Sequence, residues 1–187
     1  GFVEVVIIYD QMTRAEEVFV LTSPEFDFTS DAMPMNVRYA GPIMDQPLWC
    51  EPWQSPWAPD DPRPLVLVGL SSTFQRQADV LRQIVLALSS MPVRALVTLG
   101  LTIDPSEVAG SDNVLVVQTA PHAQVLRDAA LLVTHCGHGT TMRGLSAGVP
   151  MVCMPMGRDQ NDTAARVVHH GAGVRLAPTA GAAKIRR

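Results

Sequence analysis

The sequence predicts an α/β fold in which a parallel sheet is covered by helices on both faces. Three observations lead there. Short, continuous apolar runs such as Leu65-Val66-Leu67-Val68 are what strands buried on both faces look like. Segments with helical spacing alternate with those runs. The connections between them are short, and glycine, proline and hydroxyl residues mark them.

From Pro64 onward the elements follow in order. After the first run comes a loop, Gly69 to Phe74. Ala78, Leu81, Ile84, Val85 and Leu88 then repeat at helical spacing as far as Ser90. Ala95–Leu99 and Val114–Val117 are strands separated by a Gly/Pro/Asp loop. A short helix is expected over about 122–128. The strand Leu131–Thr134 then enters a glycine turn that opens a helix ending near Ala147. Met151–Met154 is a strand, 159–170 a helix closed by Gly171, and Val174–Leu176 ends the series.

Upstream the pattern is different. Residues 1–41 carry an extended apolar piece, a polar helix candidate (Gln11 to Glu17) and two short strands, Val18–Leu21 and Val37–Tyr39. Residues 42–64 hold seven of the 15 prolines and all three tryptophans, Trp49, Trp53 and Trp57. Proline at that density excludes helix and central strand, so the segment reads as a semi-rigid linker. Its tryptophans either pin the linker to a domain surface or line a ligand cleft.

Composition narrows the function. The chain of 187 residues is 47% hydrophobic and 17% charged, which is globular. A formal charge of −4 without a basic stripe argues against nucleic acid as a partner. No apolar run approaches the roughly 20 residues that span a bilayer. The three cysteines, Cys50, Cys136 and Cys153, have no framework spacing, so reduced thiols and a cytoplasmic location are expected. The chain opens inside an apolar segment and closes on Ala183-Lys184-Ile185-Arg186-Arg187, which reads as a fragment at both ends.

Ligands on such sheets bind at the carboxyl ends of the strands. The loop at Ser71-Ser72, the turn Thr119–His122, the turn at His135 and the turn Pro155–Gln160 should therefore line one edge. The run Thr134-His135-Cys136-Gly137-His138-Gly139-Thr140-Thr141 is the most informative of them. Gly137 and Gly139 permit close backbone approach, and Thr140 and Thr141 start a helix whose first N–H groups suit an anion. His135 can donate to a phosphate oxygen. The run is neither a Walker loop nor a dinucleotide fingerprint. His122, His135, Cys136 and His138 lack zinc-site spacing, so no metal is expected. There is no nucleophile elbow. Asp159-Gln160 reads equally as a capped helix start or as a pair that contacts sugar hydroxyls. His169-His170 before Gly171 reads as favourable charge and a glycine cap at a helix end.

Taken together, Ala120–Leu126, Thr134–Thr140, Ala147–Pro150 and Pro155–Gln160 resemble the donor-binding signature of GT-B nucleotide-sugar glycosyltransferases, family 1, of the bacterial macrolide type. The resemblance implies a C-terminal Rossmann-like donor domain over 65–187, the linker over 42–64, and the tail of an acceptor domain over 1–41. It implies that Ser72, His135, Gly137, Gly139, Thr140 and Thr141 hold the diphosphate. Thr119, Ala120, His122 and Arg143 would lie at the nucleobase and ribose, and Asp159 and Gln160 at the sugar. Thr119 stands where the plant enzymes stack a tryptophan on the base. Arg143 stands where they bind the ribose with a glutamate, and arginine donates but cannot accept.

The reaction implied is inverting transfer of a hexose from a UDP- or dTDP-sugar to a hydroxyl of a small lipophilic acceptor, such as a macrolide. It would need no cofactor and no metal. The general base would be a histidine of the N-terminal domain of the same enzyme, so this chain would bind donor without turning it over. The alternatives are another nucleotide-sugar enzyme of the same architecture, such as an epimerase, and a non-catalytic donor-binding subunit of a two-chain transferase.

Overall fold

A computed structural model describes residues 12–44, 52–71 and 77–187. The chain divides into two compact units, residues 1–43 and 44–187.

The first unit contains a helical turn at residues 12–14 and two strands, β1 (Val18–Val20) and β2 (Val37–Tyr39). They pair in parallel, with Phe19 opposite Arg38. Asn36 fastens the start of the unit, its side-chain amide donating to the carbonyls of Met12 and Ala15 at 2.8 and 2.9 Å. The Tyr39 hydroxyl donates to Asp27 at 2.8 Å. The polar helix expected over Gln11 to Glu17 is confined to 12–14, and residue 11 lies outside the described residues.

The second unit is a six-stranded parallel sheet. Its strands are β3 (Leu65–Gly69), β4 (Arg94–Thr98), β5 (Val114–Val117), β6 (Ala129–Thr134), β7 (Met151–Cys153) and β8 (Gly173–Arg175). They lie in the order β5-β4-β3-β6-β7-β8, all pairs parallel. The chain thus builds outward from β3 in one direction, returns, and builds outward in the other. That is the doubly wound arrangement, and its switch point lies between β3 and β6.

The apolar runs explain the layering. All five residues of β3 are buried, so it is the central strand that the unbroken Leu/Val sequence predicts. Val66, Val68, Ala95, Val97 and Val133 pack with Leu81 and Ile84 of helix α1 (Ala78–Leu88). Leu67, Leu96, Leu132 and Met151 are almost wholly buried, at 0 or 1% exposure. Burial of such a side chain contributes about 1.5–3 kcal/mol. Helix α3 (His138–Ser146) sits close to Leu132 and Met151, because a Cβ on its Gly144 would meet their side chains at 2.8 and 3.2 Å.

Three more helices follow the same alternation: α2 (His122–Val125), α4 (Gln160–His169) and α5 (Ala182–Ile185). The helix expected over 122–128 is shorter than its pattern suggested, since Leu126 already closes it. Gly171 takes φ +66 and closes α4, and His169 and His170 stand edge to face at its end.

The Pro/Trp segment forms neither helix nor strand among its described residues. Its tryptophans fasten it to the second unit. The Trp53 backbone N–H donates to Gln124 Oε1 at 2.7 Å, and the Trp57 ring lies 6.0 Å from the Arg94 guanidinium. Trp49 lies outside the described residues.

Candidate functional site

The carboxyl ends of β3 and β6 meet at the switch point, where Gly69 is the register partner of Thr134. Two histidines converge there. A Cβ on Gly69 would lie 2.5 Å from His122 Cε1, so only glycine lets that ring pass over the strand end. Likewise a Cβ on Gly137 would lie 2.5 Å from His135 Nε2. Gly137 is the N-cap of α3, so the His135 ring rests against the start of that helix.

His135 is only 8% exposed, and its Nδ1 is buried without a hydrogen-bond partner. Burial holds its imidazole below the usual histidine range. The Gly69 carbonyl and Asp159 oppose that shift, and Arg158 adds to it. A nitrogen left unmet in this way is uncommon in a folded interior, and the Trp53 indole Nε1 is the other case among the described residues.

The first intrahelical bond of α3 runs from Thr141 N to Gly137 O at 3.0 Å. The N–H groups of His138, Gly139 and Thr140 precede it, at the end of the helix that carries partial positive charge. Arg143 reaches back to the same end, its Nη1 donating to the Gly139 carbonyl at 3.1 Å. The helix start therefore gathers backbone dipoles, a guanidinium and the His135 ring.

Several site residues predicted from sequence also hold the loops in shape. Thr141 is buried, and its hydroxyl donates to the Gly137 carbonyl at 3.1 Å. The Gln160 carboxamide oxygen accepts from the N–H groups of Met156 and Gly157 at 2.8 and 3.1 Å. His122 lies against Thr98, with Nε2 and Oγ1 3.0 Å apart. Burial, aided by Arg143, pushes the His122 imidazole down to about 4. Thr140 and Ala120 are half-exposed and Thr119 is exposed. Ser72 lies outside the described residues.

Asp159 reads from sequence either as a helix cap or as a sugar contact, and the structure bears on the first of these. It occupies the N-cap of α4, yet its side chain makes no cap bond, and it is exposed. Next to it, Arg158 holds φ +55. With Cys136 at φ +66, it is one of two non-glycine residues with left-handed backbone among the described residues. Both stand in loops at the carboxyl edge. Such conformations cost on the order of 1–3 kcal/mol and persist where surrounding structure imposes them. Cys136 is buried against Cys153, and that contact together with burial pushes its thiol up, away from reactivity.

Sequence reasoning passed over Gly69, Thr98 and Arg158. A glycine that ends a fully apolar strand was the available signal for Gly69. For Arg158 it was an arginine between a glycine and a helix-starting acid. Farther along the edge, a groove of about 470 Å³ runs beside β5 from Val108 and Val114 to Leu99 and Gln118. Among the described residues no group of three His, Cys, Asp or Glu side chains is placed to hold a metal ion. No helix there is long and apolar enough to cross a membrane.

Residues 3–183 match the sequence profile of the UDP-glucoronosyl and UDP-glucosyl transferases. The chain belongs to that family. It is 32% identical over 126 residues to NDP-glycosyltransferase YjiC of Bacillus licheniformis, covering 67% of this chain and 32% of that protein. It is 30% identical over 154 residues to demethyllactenocin mycarosyltransferase of Streptomyces fradiae, covering 82% of this chain and 33% of the relative. The chain thus spans about a third of the length of these relatives. Among solved structures, the glycotransferase of kitacinnamycin superposes with a TM-score of 0.82 at 25% identity, over 99% of this chain and 47% of that one. The doubly wound sheet is accordingly the C-terminal part of the GT-B architecture that the four loops suggested.

Proposed function

We propose that this chain is the donor-binding part of an inverting glycosyltransferase that moves a hexose from a UDP- or dTDP-sugar to a hydroxyl of a small lipophilic acceptor. The observation that carries the reading is His135: buried, with an unmet nitrogen, at the switch point and against the N-cap of α3. Such a place suits a diphosphate, because helix N–H dipoles, an imidazole and nearby guanidinium groups all favour negative charge. The nucleoside would lie toward Ala120 and His122, beside Arg143. The sugar would lie toward Asp159, whose carboxylate is not spent on capping its helix.

Fixed dipoles of this kind stabilise the charge that develops on a leaving nucleoside diphosphate without a metal. The general base would come from the N-terminal domain of the same enzyme, so this chain would hold donor and not transfer it. The antibiotic-modifying relatives support a natural-product acceptor.

Calorimetric titration with UDP, dTDP and GDP, each with and without EDTA, tests the reading. UDP or dTDP should bind, and binding should survive EDTA. A folded sample that binds none of the three would overturn the proposal.

A further inference from the structure

We propose that Arg158 is a specificity-determining residue of the donor site, its guanidinium taking the terminal phosphate of the nucleoside diphosphate between His135 and Asp159. This rests on the donor-binding reading above and adds to it a residue that reads one phosphate.

The topology supplies the order of groups along the edge. β7 lies next to β6, and the Met154 N–H donates to the Thr134 carbonyl at 2.8 Å, so the two following loops leave the sheet side by side. A ligand stretched along the carboxyl edge passes from the turn after β5 to the switch point, then to His135 and the start of α3, and then to the loop after β7. The first charged residue it meets in that last loop is Arg158, and the next is Asp159. The group between the α3 anchor and the Asp159 carboxylate is the phosphate farther from the nucleoside.

The loop holds Arg158 there deliberately. Gln160, 2% exposed, clasps the backbone of Met156 and Gly157 from below. Arg158 itself keeps a left-handed backbone that glycine would adopt without strain. Among the described residues no hydrogen bond or ion pair occupies its guanidinium, and it is exposed. The charges of Arg158 and Asp159 both reach His135, and they act on it in opposite directions. Without the guanidinium, the Asp159 carboxylate would stand beside the phosphate uncompensated. The orphaned, buried Nδ1 of His135 is the independent sign that this edge is arranged for a ligand.

The test compares Arg158→Gln and Arg158→Gly with the unmodified chain by titration of UDP and UMP, using displacement of UDP for weak binding, and repeats it with dTDP and dTMP. Loss of a charge-assisted contact should weaken UDP about tenfold or more and leave UMP unchanged. Arg158→Gly should also raise the melting temperature while weakening UDP, because it relieves the left-handed backbone. An unmodified chain that binds neither nucleotide would defeat the donor reading itself. Normal binding of UDP by both variants, or equal losses for UDP and UMP, would overturn the role of Arg158 alone. So would a loss seen only when UDP-glucuronate is titrated alongside them, which would move the guanidinium to a sugar carboxylate.

Discussion

The two edges of the second unit's sheet are built by opposite rules. At the amino edge the polar groups are matched. The Asn113 amide donates to the carbonyls of Leu88, Met91 and Val93 at 2.9, 3.2 and 3.0 Å. Arg63 grips Asp61 through two nitrogens, and Arg94 Nε donates to the Arg63 carbonyl at 2.8 Å. At the carboxyl edge a buried imidazole nitrogen goes unmet, two side-chain-bearing residues hold left-handed backbone, and a helix begins with an aspartate that does not cap it. The first edge spends its polar chemistry on stability. The second leaves part of its polar chemistry unused by the protein, which is what the proposed donor site requires.

That contrast predicts that substitutions separate cleanly by edge. His135→Ala should cost roughly 1.5–3 kcal/mol of nucleoside diphosphate binding, the worth of a charge-assisted contact. His135→Phe keeps an aromatic ring, though a larger one, and removes both ring nitrogens, so it should bind as poorly. At the opposite edge Asn113→Ala removes three hydrogen bonds to the carbonyls of Leu88, Met91 and Val93 and should cost about 1–3 kcal/mol of stability. Its affinity for UDP should not move. Calorimetry and thermal melting of the same three variants measure both halves. Affinity lost by Asn113→Ala would break the division.

The difference between the edges also accounts for what the sequence disclosed. The sheet was legible because burial on both faces leaves uninterrupted runs such as Leu65–Val68 and Leu131–Val133. The loops were legible because a ligand edge keeps glycine and hydroxyl residues at strand ends. Side-chain roles were less legible. Thr141 and Gln160 have the composition of ligand contacts, and both side chains also bond nearby backbone, the Thr141 hydroxyl as donor and the Gln160 oxygen as acceptor. Whether a polar atom in a loop faces inward or outward depends on a few degrees of backbone, which residue type does not encode. Asp159 is the converse, an ordinary capping residue by type whose side chain leaves the cap bond unmade.

Acid should separate the edges too. The His122 imidazole, pushed down to about 4 by burial and by Arg143, takes its proton in the folded chain well below the unfolded value of 6.5. Above 6.5 both states are neutral and nothing changes. As pH falls from 6.5 toward 4, the unfolded chain binds the proton first, so stability drops by up to about 1.4 kcal/mol per pH unit. His135 is shifted the same way and adds to the loss. Asp61 adds little there, since its contribution is lost mainly below pH 4, between the unfolded value of 3.8 and the value of about 2 at which its hydrogen bonds to Arg63 hold it. Denaturant midpoints between pH 7 and pH 4 should therefore fall, and His122→Gln should flatten the curve. A curve unchanged by His122→Gln would remove that residue from the acid response.

A smaller effect tests the sugar end proposed for the site. Asp159→Ala should weaken a UDP-hexose by about 1 kcal/mol and leave bare UDP nearly unchanged, as for one hydrogen bond made only to the sugar. Equal losses for both ligands would return Asp159 to a purely local role at the start of α4.

The smallest expected effect tests whether the edges are independent at all. Trp57 lies 6.0 Å from the Arg94 guanidinium, a half-buried cation–π contact worth about 1 kcal/mol. Trp57→Leu should lower the melting temperature slightly and leave UDP affinity alone. The rest of the same segment, however, reaches the other edge, where the Trp53 N–H bonds Gln124 of α2, two residues from His122. If loosening Trp57 also weakens UDP, the segment transmits strain from the amino edge to the base end of the site. If it does not, the sheet between them is stiff enough for each edge to be altered without the other.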